Sequence, residues 1–117
     1  MDLITSLLAR KIIKVITKTG NAIASLDEAQ KVVEFTNGAS DYTYTLPQNS
    51  DVAFPIGSWM EIRKTGTGDI TITKGTGATF RGVEGDVNIK IDGEDGYSVF
   101  VEKTAINTWL ISGNITT

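Results

Sequence analysis

The side chains able to do chemistry in this 117-residue chain are carboxylates, lysines, arginines and tyrosines, because it holds neither histidine nor cysteine. Without histidine there is no ordinary general base near neutral pH, and the commonest metal ligand is gone. Without cysteine there are no thiolate nucleophiles, zinc-thiolate sites or disulfides, so the fold is indifferent to redox compartment. Carboxylate chemistry stays open. Glu61 with Glu102, or Asp69 with Asp86, would make the paired acids of a glycoside hydrolase if the fold joined either pair, but their spacing gives no sign of it. Asp92, Glu94 and Asp95 crowd a glycine turn of the kind that offers oxygen ligands to calcium. They lack EF-hand spacing and read more simply as solvated turn charges. Gly66-Thr67-Gly68 and Gly75-Thr76-Gly77 look like phosphate cradles, yet no helix pattern follows either and no Lys-Ser/Thr pair completes a P-loop. Both read as hairpin turns. Asn114-Ile115-Thr116 matches a glycosylation acceptor, but the N-terminus carries its charge in the wrong order for a secretory signal, so the match reads as chance. The expectation is a chain that is not an enzyme and uses no metal or cofactor.

Binding chemistry rests on aromatic and apolar groups. Tyr42, Tyr44, Trp59 and Trp109 have the flat rings of a sugar-binding platform, and equally the bulk of core or subunit packing. Eleven basic against fourteen acidic residues give a net charge of -3 with no block of like charge, which argues against nucleic acid or an anionic membrane as partner. No stretch approaches the roughly eighteen apolar residues of a membrane span.

The elements that position these groups are short strands. Forty per cent hydrophobic and 21% charged residues are ordinary globular values, and the length suits one domain. At the N-terminus Leu3, Ile4, Leu7 and Leu8 recur at helical spacing behind Asp2, predicting a helix of about two turns. A helix so short must dock, on its own sheet or on a partner. With Arg10, Lys11 and Ile12 these residues are the candidate contact with a partner or another subunit. Residues 12–17 then suit a strand, ended by Gly20-Asn21. Lys31 to Thr36 and Tyr42 to Leu46 read as strands that pair as a hairpin around Asn37-Gly38. In the second, Tyr42, Tyr44 and Leu46 share a face. Met60 and Ile62 read as the core side of the next strand and Trp59, Glu61 and Arg63 as its other side. Ile70 and Ile72 point inward between the two Gly-Thr-Gly brackets. Residues 86–91, 97–103 and 108–112 complete about seven or eight strands, an all-β domain predicted to be a single antiparallel sandwich or barrel-like fold. Residues 1–20 are expected to anchor and 21–117 to form the β domain.

Residues 46–57, Leu-Pro-Gln-Asn-Ser-Asp-Val-Ala-Phe-Pro-Ile-Gly, are followed by Ile62, by residues 66–72 as Gly-Thr-Gly-Asp-Ile-Thr-Ile and by a closing Thr108-Trp109-Leu110-Ile111-Ser112-Gly113-Asn114. In this order the blocks resemble a β domain of tailed-bacteriophage structural proteins: fibres, spikes and head-decoration proteins. Residues 32–38 and 42–46 are similar to that family's first strands, so the resemblance covers roughly residues 30–114. It implies a homotrimer of side-by-side β domains in the virion, assembled in the host cytoplasm. Only about forty-five residues precede the Leu46 string, too few for a fibre shaft, which favours a capsid-surface protein bound, through residues 3, 4, 7, 8 and 10–12, to the major capsid protein or another virion protein. A receptor- or glycan-binding tail fibre or spike is the alternative.

Overall fold

The computed structural model describes residues 13–117. Among them are ten strands: β1 (Val15–Lys18), β2 (Ala22–Ile23), β3 (Lys31–Thr36), β4 (Tyr42–Leu46), β5 (Trp59–Thr65), β6 (Ile70–Lys74), β7 (Thr79–Arg81), β8 (Ile89–Ile91), β9 (Ser98–Ala105) and β10 (Thr108–Gly113). A 3-10 turn, Leu26–Glu28, lies between β2 and β3. The described residues are therefore all-β apart from that turn, in keeping with their period-two patterning. The predicted N-terminal helix falls on residues 1–12, outside the described residues.

Two sheets share the strands. One has six, in the order β1-β3-β5-β9-β10-β7, and the other four, in the order β2-β4-β6-β8. Up to β8 the chain alternates between them, odd strands in the larger sheet and even strands in the smaller. Parallel neighbours normally need a helical crossover; here the crossovers up to β6 are single strands of the opposite sheet, and that from β7 to β10 runs through β8 and β9, so parallel pairing forms without a helix between the paired strands. Five of the eight ladders among the described residues are parallel. The expectation of an antiparallel domain is corrected accordingly: β5 with β9, β9 with β10 and β6 with β8 are antiparallel, and the rest are not.

The hairpin expected between residues 31–36 and 42–46 does not form, because β3 and β4 belong to different sheets. Asn37-Gly38 is instead a corner, stacked on the corner of the next coil. The Asn37 amide donates to the carbonyls of Ser40 and Gly68, both at 2.9 Å, and Gly68 N–H donates to the Gly38 carbonyl at 2.8 Å. Asp69 N–H donates to the Asp41 carboxylate at 2.8 Å, and one coil earlier Thr43 N–H donates to Asn21 Oδ1 at 2.8 Å. Backbone contact this close demands glycine. A Cβ on Gly68 would lie 1.9 Å from the Ser40 carbonyl oxygen, and one on Gly66, where φ is +118°, would lie 2.4 Å from that of Gly38. The Gly-Thr-Gly bracket ends a strand, as its composition predicts, but as a stacked arc between sheets.

Both sheets contribute to one core. Val33, Phe35, Met60, Ile62, Val99, Val101, Trp109 and Ile111 come from the larger sheet, and Tyr44, Leu46, Ile70, Ile72, Ile89 and Ile91 from the smaller. The inward assignment of Met60, Ile62, Ile70 and Ile72 holds. Two lysines share that inward register. Lys64 ends the buried series of β5 and donates to the Gly93 carbonyl at 2.9 Å; Lys103 ends that of β9, donates to Asn49 Oδ1 at 2.8 Å and lies 5.8 Å from the Trp109 ring centre. Each follows the strand alternation with its stem and finds an oxygen for its ammonium at the core's rim.

Candidate functional site

The outward side of the larger sheet is where the chain offers binding chemistry. Register sets its layout: Val15 is beside Val32, Val32 beside Glu61 and Glu61 beside Phe100, one row across four strands. A second row runs from Trp59 to Glu102 to Leu110. Trp59 and Phe100, diagonal neighbours, stack with centroids 5.6 Å apart and planes 19° from parallel. Phe100 is 41% exposed and Val15 49%. Arg63 lies alongside, with Nε 2.7 Å from Glu34 and Nη1 3.6 Å from Glu61. Ile13, Val15, Val32, Trp59, Glu61 and Arg63 line a shallow groove of about 360 Å³. The arrangement is a half-exposed aromatic pair with Val15 and Val32, interrupted by Glu61 and flanked by Glu34, Glu102, Arg63 and, beside Leu110, Arg81. It can stack and bury surface, and it holds no activated nucleophile.

The outward side of the smaller sheet is mostly hydroxyl-bearing, with one exposed aliphatic, Ile23, beside Thr45. Thr43 pairs with Thr71 and Thr45 with Thr73, and Thr71 pairs in turn with Lys90. β-branched hydroxyls suit a solvated pleated surface.

Of the four aromatic candidates, the structure leaves one on the surface stripe. Trp109 and Tyr44 are fully buried, because each alternates in phase with core residues of its strand. Trp109 packs edge-on against Phe54 at 5.2 Å. Tyr42 is half-buried at the start of β4, 6.3 Å from Phe35, and Trp59 alone belongs to the stripe. Tyr44 instead ties the core to its rim. Its hydroxyl donates to buried Glu28, whose carboxylate also accepts from Ser25 Oγ at 2.7 Å and Lys18 Nζ at 3.0 Å. Burial first, and then the Glu28 carboxylate, push the Tyr44 hydroxyl well above the usual phenol range. The contact residues Leu3, Ile4, Leu7, Leu8, Arg10, Lys11 and Ile12 lie outside the described residues.

The acidic candidates separate. Glu61 and Glu102 do share the outward face on neighbouring strands, one register step apart, with Arg63 beside Glu61. Asp69 and Asp86 sit at opposite ends of β6: Asp69 hydrogen-bonds at the Asp41 corner, while Asp86 pairs with Lys74 at 3.0 Å and accepts from Phe80 N–H. That backbone bond, with Lys74 second, holds the Asp86 carboxyl below the ordinary carboxylate range. Asp92, Glu94 and Asp95 are exposed, and among the described residues no group of three or more acidic side chains is placed to hold a metal ion. Asn114 accepts from Ser98 N–H at 3.1 Å.

Sequence reasoning missed Phe100 as a partner for Trp59. Its signal is plain in retrospect: with Val99 and Val101 inward, the period of two puts Phe100 outward. A second concavity, of about 570 Å³ and lined by Leu26, Ala29, Ala53, Pro55 and Ile56 among others, has no aromatic or charged group to orient a ligand. In comparisons with family models, curated proteins and solved structures, nothing matches this chain.

Proposed function

We propose that the chain is a structural protein of a tailed-phage virion, a head decoration or cement protein or short head fibre that binds and stabilises the capsid surface as a homotrimer. On this reading the two sheets pack as a sandwich whose sides have separate duties. The observation that carries it is the stacked Trp59 and Phe100 pair, with Val15 and Val32, on the outward side of the larger sheet, set against a smaller sheet whose outward side is mostly threonine with one exposed isoleucine, Ile23. Exposed contiguous apolar surface marks a contact site on a small domain. Ile13 and Val15, next in the chain to the proposed contact residues, line the shallow groove beside Trp59. The ordered string from Leu46 to Asn114 supports the virion assignment. The mechanism is mechanical: modest contacts, repeated over a lattice, add through avidity without a reactive group. Cryo-electron microscopy of the particle tests it, with density for this chain expected on the head. Density at the tail tip alone would refute it, and a monomeric mass for the purified protein would refute the trimer.

Glycan binding by a tail fibre or spike is the second reading, and the stacked Trp59 and Phe100 pair favours it, because flat exposed rings suit the apolar faces of sugars. Glycan-array binding lost in Trp59→Ala is its expected signature.

A further inference from the structure

Three pairs in the chain place glycine after asparagine or aspartate: Asn37-Gly38, Asp92-Gly93 and Asp95-Gly96. Such pairs undergo an uncatalysed reaction in water. The glycine nitrogen, unshielded by any Cβ of its own, attacks the side-chain carbonyl carbon and closes a five-membered succinimide. Its proton departs with the leaving group, as ammonia from asparagine or as water from aspartate. Water then reopens the ring at either carbonyl, and opening on the backbone side leaves isoaspartate, with one extra methylene in the main chain. In an unfolded chain asparagine reacts first, because the aspartate carboxyl is ionised near neutral pH and resists a nucleophile.

The fold reverses that order. Asn37 is buried, its Nδ2 donates to the carbonyls of Ser40 and Gly68, and its Oδ1 accepts from Thr65 N–H at 3.3 Å. Gly38 N–H donates to the Thr65 carbonyl at 3.2 Å. Both reacting groups are therefore held, and the bonds they must break lower the reactive population by about a hundredfold. Asp95 is exposed but its nucleophile is engaged, since Gly96 N–H donates to the Lys64 carbonyl at 2.9 Å. Asp92 differs from both. It is exposed, and among the described residues neither its carboxylate nor Gly93 N–H has a hydrogen-bond partner. The turn also requires the residue that makes it labile: φ at Gly93 is +111°, and a Cβ there would lie 2.7 Å from the Tyr97 ring.

That turn closes over a buried cation. Lys64 is fully buried, and residues 93–97 enclose it: Nζ donates to the Gly93 carbonyl at 2.9 Å, and its backbone bonds Tyr97 and Gly96. Among the described residues Nζ has no second acceptor. A methylene inserted immediately before Gly93 displaces this carbonyl, and a buried ammonium deprived of its oxygen destabilises the fold.

We propose that Asp92-Gly93 is the site of spontaneous isoaspartate formation in the folded protein, and that the modification releases the Lys64 ammonium from its cap. The reaction needs only water. It goes beyond the virion reading and does not depend on it.

Purified full-length protein, folded or held in concentrated urea, is aged at neutral pH and then digested. Isoaspartate is located by methyl transfer from a protein isoaspartyl methyltransferase and by mass spectrometry of the peptides. In urea Asn37 is expected to lead. In the folded protein Asp92 is expected to lead, forming isoaspartate at least about threefold faster than Asp95. Asn37 or Asp95 leading in the fold, or Asp92 staying intact, would overturn the assignment. The aged fraction carrying isoaspartate at 92, separated by ion exchange, is expected to melt about 5–10 °C below fresh protein. Asp92→Glu, whose longer side chain cannot close the five-membered ring, should keep its Tm through the same ageing. An unchanged Tm in the modified fraction would refute the link to Lys64.

Discussion

Replacing Gly68 by alanine tests whether the corners of successive coils are stacked as described. The new Cβ would sit 1.9 Å from the Ser40 carbonyl oxygen and 2.5 Å from its carbon, where ordinary contact begins near 3.4 Å. The two backbones must separate by about 1.5 Å, and nothing flexible stands between them to absorb it. Separation breaks the Gly68 N–H to Gly38 bond and pulls the Asn37 amide from at least one of its two carbonyls. Asn37 is buried, so each lost bond leaves a polar group without water and costs about 1–2 kcal/mol. The expected total is about 2–4 kcal/mol, a large part of the roughly 5–15 kcal/mol that holds a domain together. For a chain this size it corresponds to a fall in Tm of about 10–15 °C. Urea unfolding followed by Trp109 fluorescence measures it, with Gly20→Ala as the control. A Cβ on Gly20 meets nothing within 4 Å, so that variant should stay within about 1 kcal/mol of the parent. A Gly68→Ala protein as stable as Gly20→Ala would refute the stacked-corner arrangement.

Glu28→Ala strips the acceptor from Tyr44, Ser25 and Lys18 and should cost about 2–4 kcal/mol in chemical denaturation, with much of the loss recovered in Glu28→Leu combined with Tyr44→Phe. Because the Tyr44 hydroxyl titrates above its ordinary 10.0 in the fold, its contribution is complete below pH 10 and is lost as pH climbs further; Tyr44→Phe should flatten that alkaline decline in Tm. Burial lowers the Lys103 ammonium below its ordinary 10.5, so the folded state binds fewer protons and stability from this site rises as pH approaches 10.5. Lys103→Met should remove that rise while shifting neutral-pH stability by no more than about 1 kcal/mol, read by thermal melts across pH. Asp86, held below 3.8, supports the fold above that pH and ceases to as pH falls through its lowered value; Asp86→Asn should lack this acid limb while keeping the acceptor for Phe80 N–H.

Strand existence and inward face were legible in the chain because a period of two is a local property. Lys31–Thr36 and Tyr42–Leu46 fall where their composition puts them, and Ile70 and Ile72 are buried as their alternation demands. Pairing was not legible. Asn37-Gly38 between two strand patterns is the ordinary mark of a hairpin, and what overrides it is a contact about 30 residues away, the Gly68 backbone lying against Ser40. Alternation between sheets also hides burial: Lys64 and Lys103 occupy inward positions at strand ends, where a charged side chain reads as surface although its stem fills the core and its ammonium finds a carbonyl or amide oxygen. The site was half legible for the same reason. Trp59 stood out by type, but its stacking partner Phe100 is about forty residues further on, joined to it only by the β5 and β9 register.

Alternation also explains how so small a domain can carry two unlike surfaces. When the crossovers up to β6 are strands of the opposite sheet, β3, β5 and β9 furnish one outer side and β4, β6 and β8 the other, while inward positions of both meet in a shared core. Outward residues on one side therefore touch neither the core nor the opposite surface. Threonines 43, 45, 71 and 73, with Ile23, form one outer side, and Trp59 stacks on Phe100 on the other without displacing Met60, Ile62, Val99 or Val101 beneath them. On the proposed reading this separation gives one surface to bury against a partner and a mostly polar one to leave in water, over a core shared by both sheets.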